Sequence, residues 1–488
     1  MKKNNLIYTC EKVNMSRLAL YSFFCFFIFS CKGFITVDSP KNKISDKNIF
    51  SNDETAIAMV TNIYTQLNQD CKAFNGDGRL MNVALVTGLS SDELVLYGSN
   101  NTSFYQIYTN TLNGDNTIYT WSDIYRKIYN VNSAIASLID NHSLSDNVRR
   151  QLLGEVKFIR AFCYFYLTNL YGNVPIVLGI DPLINSTLSQ SSKEEVYTQI
   201  LEDLKDAESL MSESYLAGNL IGTSIERVRP TKWVATALLA RVSLFMLNYA
   251  NAENEADLLI NHQELFKLDS LDDVFLKSSN ECIWQIQNVY NSGANTGDGQ
   301  TFILPQSGPD GSNYPVYLSD YIVNDFEAGD LRKRHWIDSI TTNSGITYFF
   351  PFKYKSGALT ENGSSSEYIM MFRLAEQYLI RAEARLKLGK YDQAISDINI
   401  IRRRAGLNNI TTIPPDSILK VISHERKVEL FTEWGHRWLD LKRTGDVNSI
   451  MSVVAEQKGV TWQSYYQLYP INNSELLADK SLIQNPGY

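Results

Sequence analysis

Apolar residues recur at helical spacing along most of this chain, and that period limits its possible folds more than any other feature. Ala56, Ile57, Met59, Val60, Ile63, Tyr64 and Leu67 mark one face of a first helix, with Ser51-Asn52-Asp53-Glu54 as its N-cap region. The same pattern predicts helices over Trp121–Leu138, Val148–Leu170, Lys193–Leu210, Thr231–Ala250, Phe372–Leu388, Tyr391–Arg404 and Ser417–Leu430. Tyr171-Gly172-Asn173-Val174-Pro175 stops Val148–Leu170, as Gly and Pro do. Strand signals are few. Glu281 to Gln287 alternates like a half-buried strand. The expected class is mostly α with a few short strands.

Two helices carry a recognisable spacing. Tyr378, Ala382, Gly389, Tyr391 and Ala394 fit a tetratricopeptide-like hairpin, in which small residues let the helices approach and Gly389 makes the turn. Thr231 to Ala250 has a similar small/large rhythm. From about Asn288 to Glu367 the periodicity fades, and Gly, Ser, Asn and Tyr predominate. Asn291-Ser292-Gly293 and Ser307-Gly308-Pro309-Asp310-Gly311 are turn formers, the latter leading into Ser312-Asn313-Tyr314-Pro315. Loops of that length inside a compact domain are functional or disordered.

The run Leu18 to Ser30, LALYSFFCFFIFS, is too short to span a bilayer and suits a signal-peptide core, with Arg17 before it. Met15 is an alternative start to Met1. The run ends Ile28-Phe29-Ser30-Cys31, which resembles a bacterial lipobox and implies cleavage before Cys31 and acylation of that residue. Several acyl chains exceed what stable anchoring needs. No later stretch is apolar and long enough to span a bilayer. Residues 1–30 are therefore read as the leader; the rest divides into a first helical region, 31–260, and a second region, 261–488, that holds the long loops.

With 488 residues and 44% hydrophobic content, the chain can bury a large core. The net charge of -8 gives no basic field for nucleic acid, and Arg402-Arg403-Arg404 reads as a solvated or salt-bridged helix face. Cys71, Cys163 and Cys282 allow at most one disulfide and suit buried thiols equally well. The five histidines include no HExxH, and His424-Glu425 reads as a surface or capping pair. Asp77 and Asp298 sit in Gly-rich turns without the spacing of a calcium loop. No cofactor motif is present: there is no Walker loop, GxSxG or GxGxxG. Glu425, Glu429 and Glu433 fall at i, i+4, i+8 on one helix face. Same-helix carboxylates cannot straddle a glycosidic bond, so they read as a structural salt-bridge ladder.

The motifs come in a fixed order. Arg160-Ala161-Phe162-Cys163-Tyr164 is followed by Leu170 to Pro175, then Arg373 to Ala384, Arg402 to Leu407 and Glu425 to Leu430. Glu433, Gly435, Arg437, Asp440 and Arg443 come next, then Leu468-Tyr469-Pro470-Ile471 and Gln484-Asn485-Pro486-Gly487-Tyr488. This set resembles the SusD/RagB family of Bacteroidetes outer-membrane lipoproteins. One departure is Trp434, added between the Glu and Gly of the family's EG-R pattern; another is Lys32 after Cys31 in place of an acidic run. The resemblance implies four tetratricopeptide-like helix pairs supporting a loop-rich ligand face. It implies a lipid-anchored, surface-facing protein that passes an oligosaccharide or peptide to a SusC-type TonB-dependent transporter.

Neutral glycans call for aromatic faces with amide and hydroxyl groups on exposed loops. Two segments supply them, and the candidate contacts are Tyr97, Asn100, Asn101 and Tyr105 in one, Tyr290 and Tyr314 in the other. Trp233 and Trp284 are assigned to the core. A surface glycan-degrading enzyme is the competing reading, and a protein-binding adaptor a third.

Overall fold

The computed structural model describes residues 50–69, 80–99, 102–115, 120–288, 295–357, 365–411 and 413–488. Cys31, Cys71, Asp77, Asn100, Asn101, Tyr290 and the turn 291–293 lie outside them. The long helices are α1 (Asp53–Gln69), α2 (Val83–Ser90), α3 (Thr102–Tyr108), α4 (Thr120–Leu138), α5 (Asp146–Tyr171), α6 (Lys193–Leu210), α7 (Lys232–Phe245) and α8 (Tyr249–Asn261). After a strand-bearing insertion come α9 (Leu374–Lys387), α10 (Tyr391–Arg404), α11 (Pro415–Leu430), α12 (His436–Thr444) and α13 (Val447–Gln457).

Local chemistry sets these boundaries. Asn52 Oδ1 accepts from the Thr55 amide at 3.0 Å at the start of α1. Ser192 and Glu195 close a capping box on α6, the Ser192 hydroxyl taking the Glu195 amide at 3.2 Å. Gly389, at φ +76°, turns α9 into α10 as its position predicts.

Each helix packs on the next: α4 on α5, α5 on α6, α6 on α7, α7 on α8, then α8 across the insertion on α9, and α9 on α10. This is the stacking of tetratricopeptide-like pairs. Helix α5 is buried on almost every side from Gln151 onward, because helices flank it and a two-stranded ribbon covers it. That ribbon pairs β2 (Cys282–Ile286) with β6 (Ile369–Arg373), antiparallel. Trp284 lies edge-on to Phe158 at 5.2 Å and stacks on Phe372 at 6.3 Å, making an aromatic core between helix and ribbon.

Several boundaries differ from the sequence expectation. Thr231–Ala250 is not one helix: α7 ends at Phe245, Leu247 takes φ +59°, and Asn248 caps α8. Phe372 and Arg373 belong to β6, not to α9. The strand at 282–286 is wholly buried, so its alternation did not mark a wet face. The region 288–367 holds the short helix Gly297–Phe302, the strand β3 (Val316–Leu318) and a hairpin of β4 (Ile337–Thr341) and β5 (Thr347–Pro351). Cys163 and Cys282 are buried free thiols. Among the described residues no helix is long and apolar enough to cross a membrane.

Candidate ligand-binding face

The strand β1 (Leu94–Leu96) pairs antiparallel with β3, placing Leu96 opposite Val316. The pairing runs on at its open end, where the Tyr97 amide donates to the Pro315 carbonyl at 2.6 Å. Two tyrosine-bearing segments more than 200 residues apart thus become one ribbon. Hairpin strand β5 packs beside β3 and adds Tyr348. Tyr348 meets Tyr97 edge-on at 5.9 Å and Tyr317 at 5.0 Å.

Tyr97 and Tyr105 are 39% and 40% exposed, large values for aromatic residues, and Tyr314 is half-buried. Tyr105 and Tyr108 project from α3 beside the ribbon. Burial, with Tyr317 and Tyr105 nearby, pushes the Tyr108 hydroxyl up to about 12, so it stays a neutral hydrogen-bonding group. The loop before β3 is braced from within. Asp310 Oδ1 accepts from the amides of Ser312 at 2.8 Å and Tyr314 at 3.1 Å, and from Asn313. Gly308, at φ +87°, lies so close to the hairpin that a Cβ there would stand 2.8 Å from Thr342 Cγ2.

Sequence reasoning singled out Tyr97, Tyr105 and Tyr314 in this face, and missed Tyr108, Tyr317 and Tyr348. The signal for Tyr348 was present: Thr347-Tyr348-Phe349-Phe350 after Gly345 is a short β-prone run. Phe104, in the same predicted segment, is buried.

The ribbon is fastened to the helices at its base. Asp92 accepts a two-pronged ion pair from Arg437, at 2.8 Å on each oxygen. Glu93 accepts from the Thr432 amide at 3.2 Å, and its carbonyl takes the Ser319 amide at 2.9 Å. Burial and the neighbouring Asp92 push the Glu93 carboxyl up to about 8. Below the ribbon a cleft of about 110 Å³ is lined by Leu94, Tyr108, Tyr321 and Lys458.

The acidic residues on α11 do a different job. Helix α11 ends at Leu430, so Glu433 is not on its face as expected but in the following turn. The expected intrahelical ladder is also absent as such: these carboxylates pair with basic groups from other elements. Arg373 reaches Glu281 at 2.9 Å, Glu429 at 2.6 Å and Glu433 at 2.8 Å, all buried. Arg332 pairs with Asp330 and Glu425, and Arg402 and Arg404 add Glu425, Glu281 and Glu429. Burial raises the Glu429 carboxyl, but Arg404, Arg373 and Arg332 outweigh it and hold it far below the carboxylate range. Burial draws the Lys353 ammonium down to about 8 against the pull of Glu433.

Trp434, the departure from the motif spacing, takes φ +46° and fills the core beside Phe162 at 5.5 Å. His424 pairs with Asp325 at 3.5 Å rather than with its neighbour Glu425. Asp298 sits in the first turn of a short helix, not in an open turn, and burial beside Glu433 raises it to about 7. Among the described residues no cluster of three metal-type ligands occurs.

The last motif is also structural. Asn485 donates to the carbonyls of Tyr171 at 2.9 Å and Tyr469 at 2.8 Å. Gln484 exchanges two hydrogen bonds with the Ile471 backbone at 2.8 Å. Gly487, at φ +97°, packs flat on Tyr465, and Tyr488 donates to the Leu468 carbonyl at 2.8 Å.

Stacked helix pairs with an aromatic ribbon bolted on by ion pairs define a tetratricopeptide-like scaffold protein. The chain belongs to the SusD/RagB family: residues 328–488 match the model described as SusD family, and residues 38–244 the one described as starch-binding associating with outer membrane. It is similar to SusD-like protein P25 of Formosa agariphila, 23% identical over 98% of this chain and 100% of the relative. Starch-binding protein SusD of Bacteroides thetaiotaomicron is 33% identical over 125 residues, 25% of this chain and 21% of that one. Surface glycan-binding protein A of the same organism, solved in complex with laminarihexaose, superposes at a TM-score of 0.72 with 20% identity, covering 89% of this chain and 99% of that one.

Proposed function

We propose that this protein is a surface lipoprotein, anchored in the outer membrane through Cys31, that captures an oligosaccharide or peptide nutrient. It passes the ligand to a SusC-type TonB-dependent transporter and catalyses nothing itself. The observation that carries the binding half is the tyrosine ribbon of Tyr97, Tyr317 and Tyr348, with Tyr105 and Tyr108 beside it. Flat rings with hydroxyls at their edges suit sugar faces and their hydroxyl groups. Relatives named for starch binding, and one solved with a laminarin oligosaccharide, favour a glycan over a peptide. Asn100, Asn101 and Tyr290, which lie outside the described residues, are further candidate contacts on the strength of their sequence segments alone. The carboxylates that a glycan-degrading enzyme would need from α11 are neutralised by arginines in the interior, which weighs against that alternative.

The test is purification of the lipoprotein from its native outer membrane in mild detergent, together with affinity electrophoresis in gels containing laminarin or starch. Co-purification of a TonB-dependent barrel and retardation by a polysaccharide are the expected results. Recovery of the protein alone, with hydrolysis of either polymer, would replace this reading with the enzyme.

A further inference from the structure

A second concave surface lies away from the tyrosine ribbon. Trp121, Tyr125 and Tyr129 follow one another at four-residue steps along α4 and form one wall. Glu475 and Asp479 stand in the opposite wall, also four residues apart, and the groove between holds about 350 Å³. Its walls are fixed. Tyr125 donates to the Pro175 carbonyl at 2.8 Å, and Ser122 to Glu475 at 2.8 Å. The hydrogen bonds of Gln484 and Asn485 hold the acidic wall against α5 and Tyr469.

The lining includes Pro182, Ala478, Leu482 and the half-exposed Tyr129, and the chain neighbours of these residues are large aliphatics in water: Leu183 is 81% exposed, Leu477 70% and Ile483 75%, with Ile184 also exposed. A concentration of large aliphatic side chains in water marks a protein contact rather than a sugar site, because a saccharide's hydroxyls gain nothing from leucine. Among the described residues no lysine or arginine lines the groove, while two carboxylates do. A second copy of a chain with net charge -8 would be repelled there, whereas a basic partner is attracted. One chain segment links the groove's acidic wall to the ligand face. The segment that begins with α3 and its Tyr105 ends at Gly114 and Asp115, which bond to the Asn473 amide at 2.7 Å and its side chain at 2.6 Å.

We propose that this groove is the docking surface for the transporter, which seats there a segment combining apolar side chains with a lysine or arginine. The proposal rests on the transporter partnership inferred above and assigns it a place on this chain.

The experiment uses the full-length lipoprotein in its native outer membrane, extracted in mild detergent, with recovery of the barrel measured per mole of lipoprotein. Three variants are compared with the wild type: Leu183→Glu with Leu477→Glu, Asp479→Lys, and Tyr97→Ala with Tyr348→Ala. The first should lower barrel recovery at least tenfold with an unchanged unfolding temperature. The second should lower it several-fold at low salt and less at high salt. The third should leave it unchanged. Wild-type barrel recovery in the double glutamate variant and in Asp479→Lys would overturn the docking site while leaving the partnership intact. Absence of a barrel from the wild type itself would overturn both. A groove variant that keeps the barrel but loses a polysaccharide bound by the wild type would make the groove a sugar site and overturn docking.

Discussion

The buried charge network around Arg373 and the tyrosine ribbon around Tyr348 obey opposite rules. The first gathers Glu281, Glu429 and Glu433 about one guanidinium, with each partner drawn from a different element and shielded from water. The second holds its rings by edge contacts and leaves Tyr97 and Tyr105 exposed. Removing one member of the network strands charges in the interior, whereas removing one ring opens space that water already reaches. Buried charge therefore ties elements together on one side of this comparison, and neutral aromatic surface meets solvent on the other.

The comparison is broken most directly by Arg373→Ala. Leaving three carboxylates around a vacant site is expected to lower stability by roughly 3–5 kcal/mol, read by urea unfolding. Retention of wild-type stability would show that the network is decorative. Glu93→Gln probes the joint between the two regions. The folded carboxyl titrates near 8 and the unfolded one near ~4.3, so the protonated group is favoured in the fold. Its contribution is fully present below ~4.3 and is lost as pH rises towards 8. The variant should accordingly gain on the wild type as pH increases through that window, by at most ~1.4 kcal/mol per pH unit, in unfolding curves at pH 5 and pH 8.

Gly487→Ala should destabilise by roughly 1–3 kcal/mol, because an added methyl meets the Tyr465 ring at a φ of +97°. Tyr348→Ala sharpens the other half of the comparison. It should weaken glycan binding about tenfold, in affinity gels, with a loss of stability smaller than that of Arg373→Ala. The smallest effect is expected at Lys157→Ala, whose partner Asp206 is more than half exposed; thermal unfolding should move by no more than ~1 kcal/mol equivalent.

The helices were legible because their signals are local. The capping box at Ser192 and Glu195 and the turn at Gly389 each involve residues a few positions apart. The α7–α8 break was not legible, since it depends on Leu247 adopting a left-handed conformation that its side chain does not favour. The β1–β3 ribbon was half legible. Tyr97 and Tyr314 stand out as aromatics in turn-rich segments, but nothing near either residue records that Tyr97 bonds to Pro315 or that Tyr348 completes the cluster. The acidic run on α11 was read correctly as scaffold, yet its partners came from β6, α10 and the insertion, contacts that a helical wheel cannot display.

Asn485 satisfies the carbonyl of Tyr171, a residue 314 positions earlier, at the end of a deeply enclosed helix. A chain is made from its N-terminus, so α5 emerges long before the residue that closes its last turn. Until then that carbonyl and the one at Tyr469 stay open to water or to chaperones. A ribosome stalled anywhere before residue 485 leaves a product whose α5 lacks its clasp.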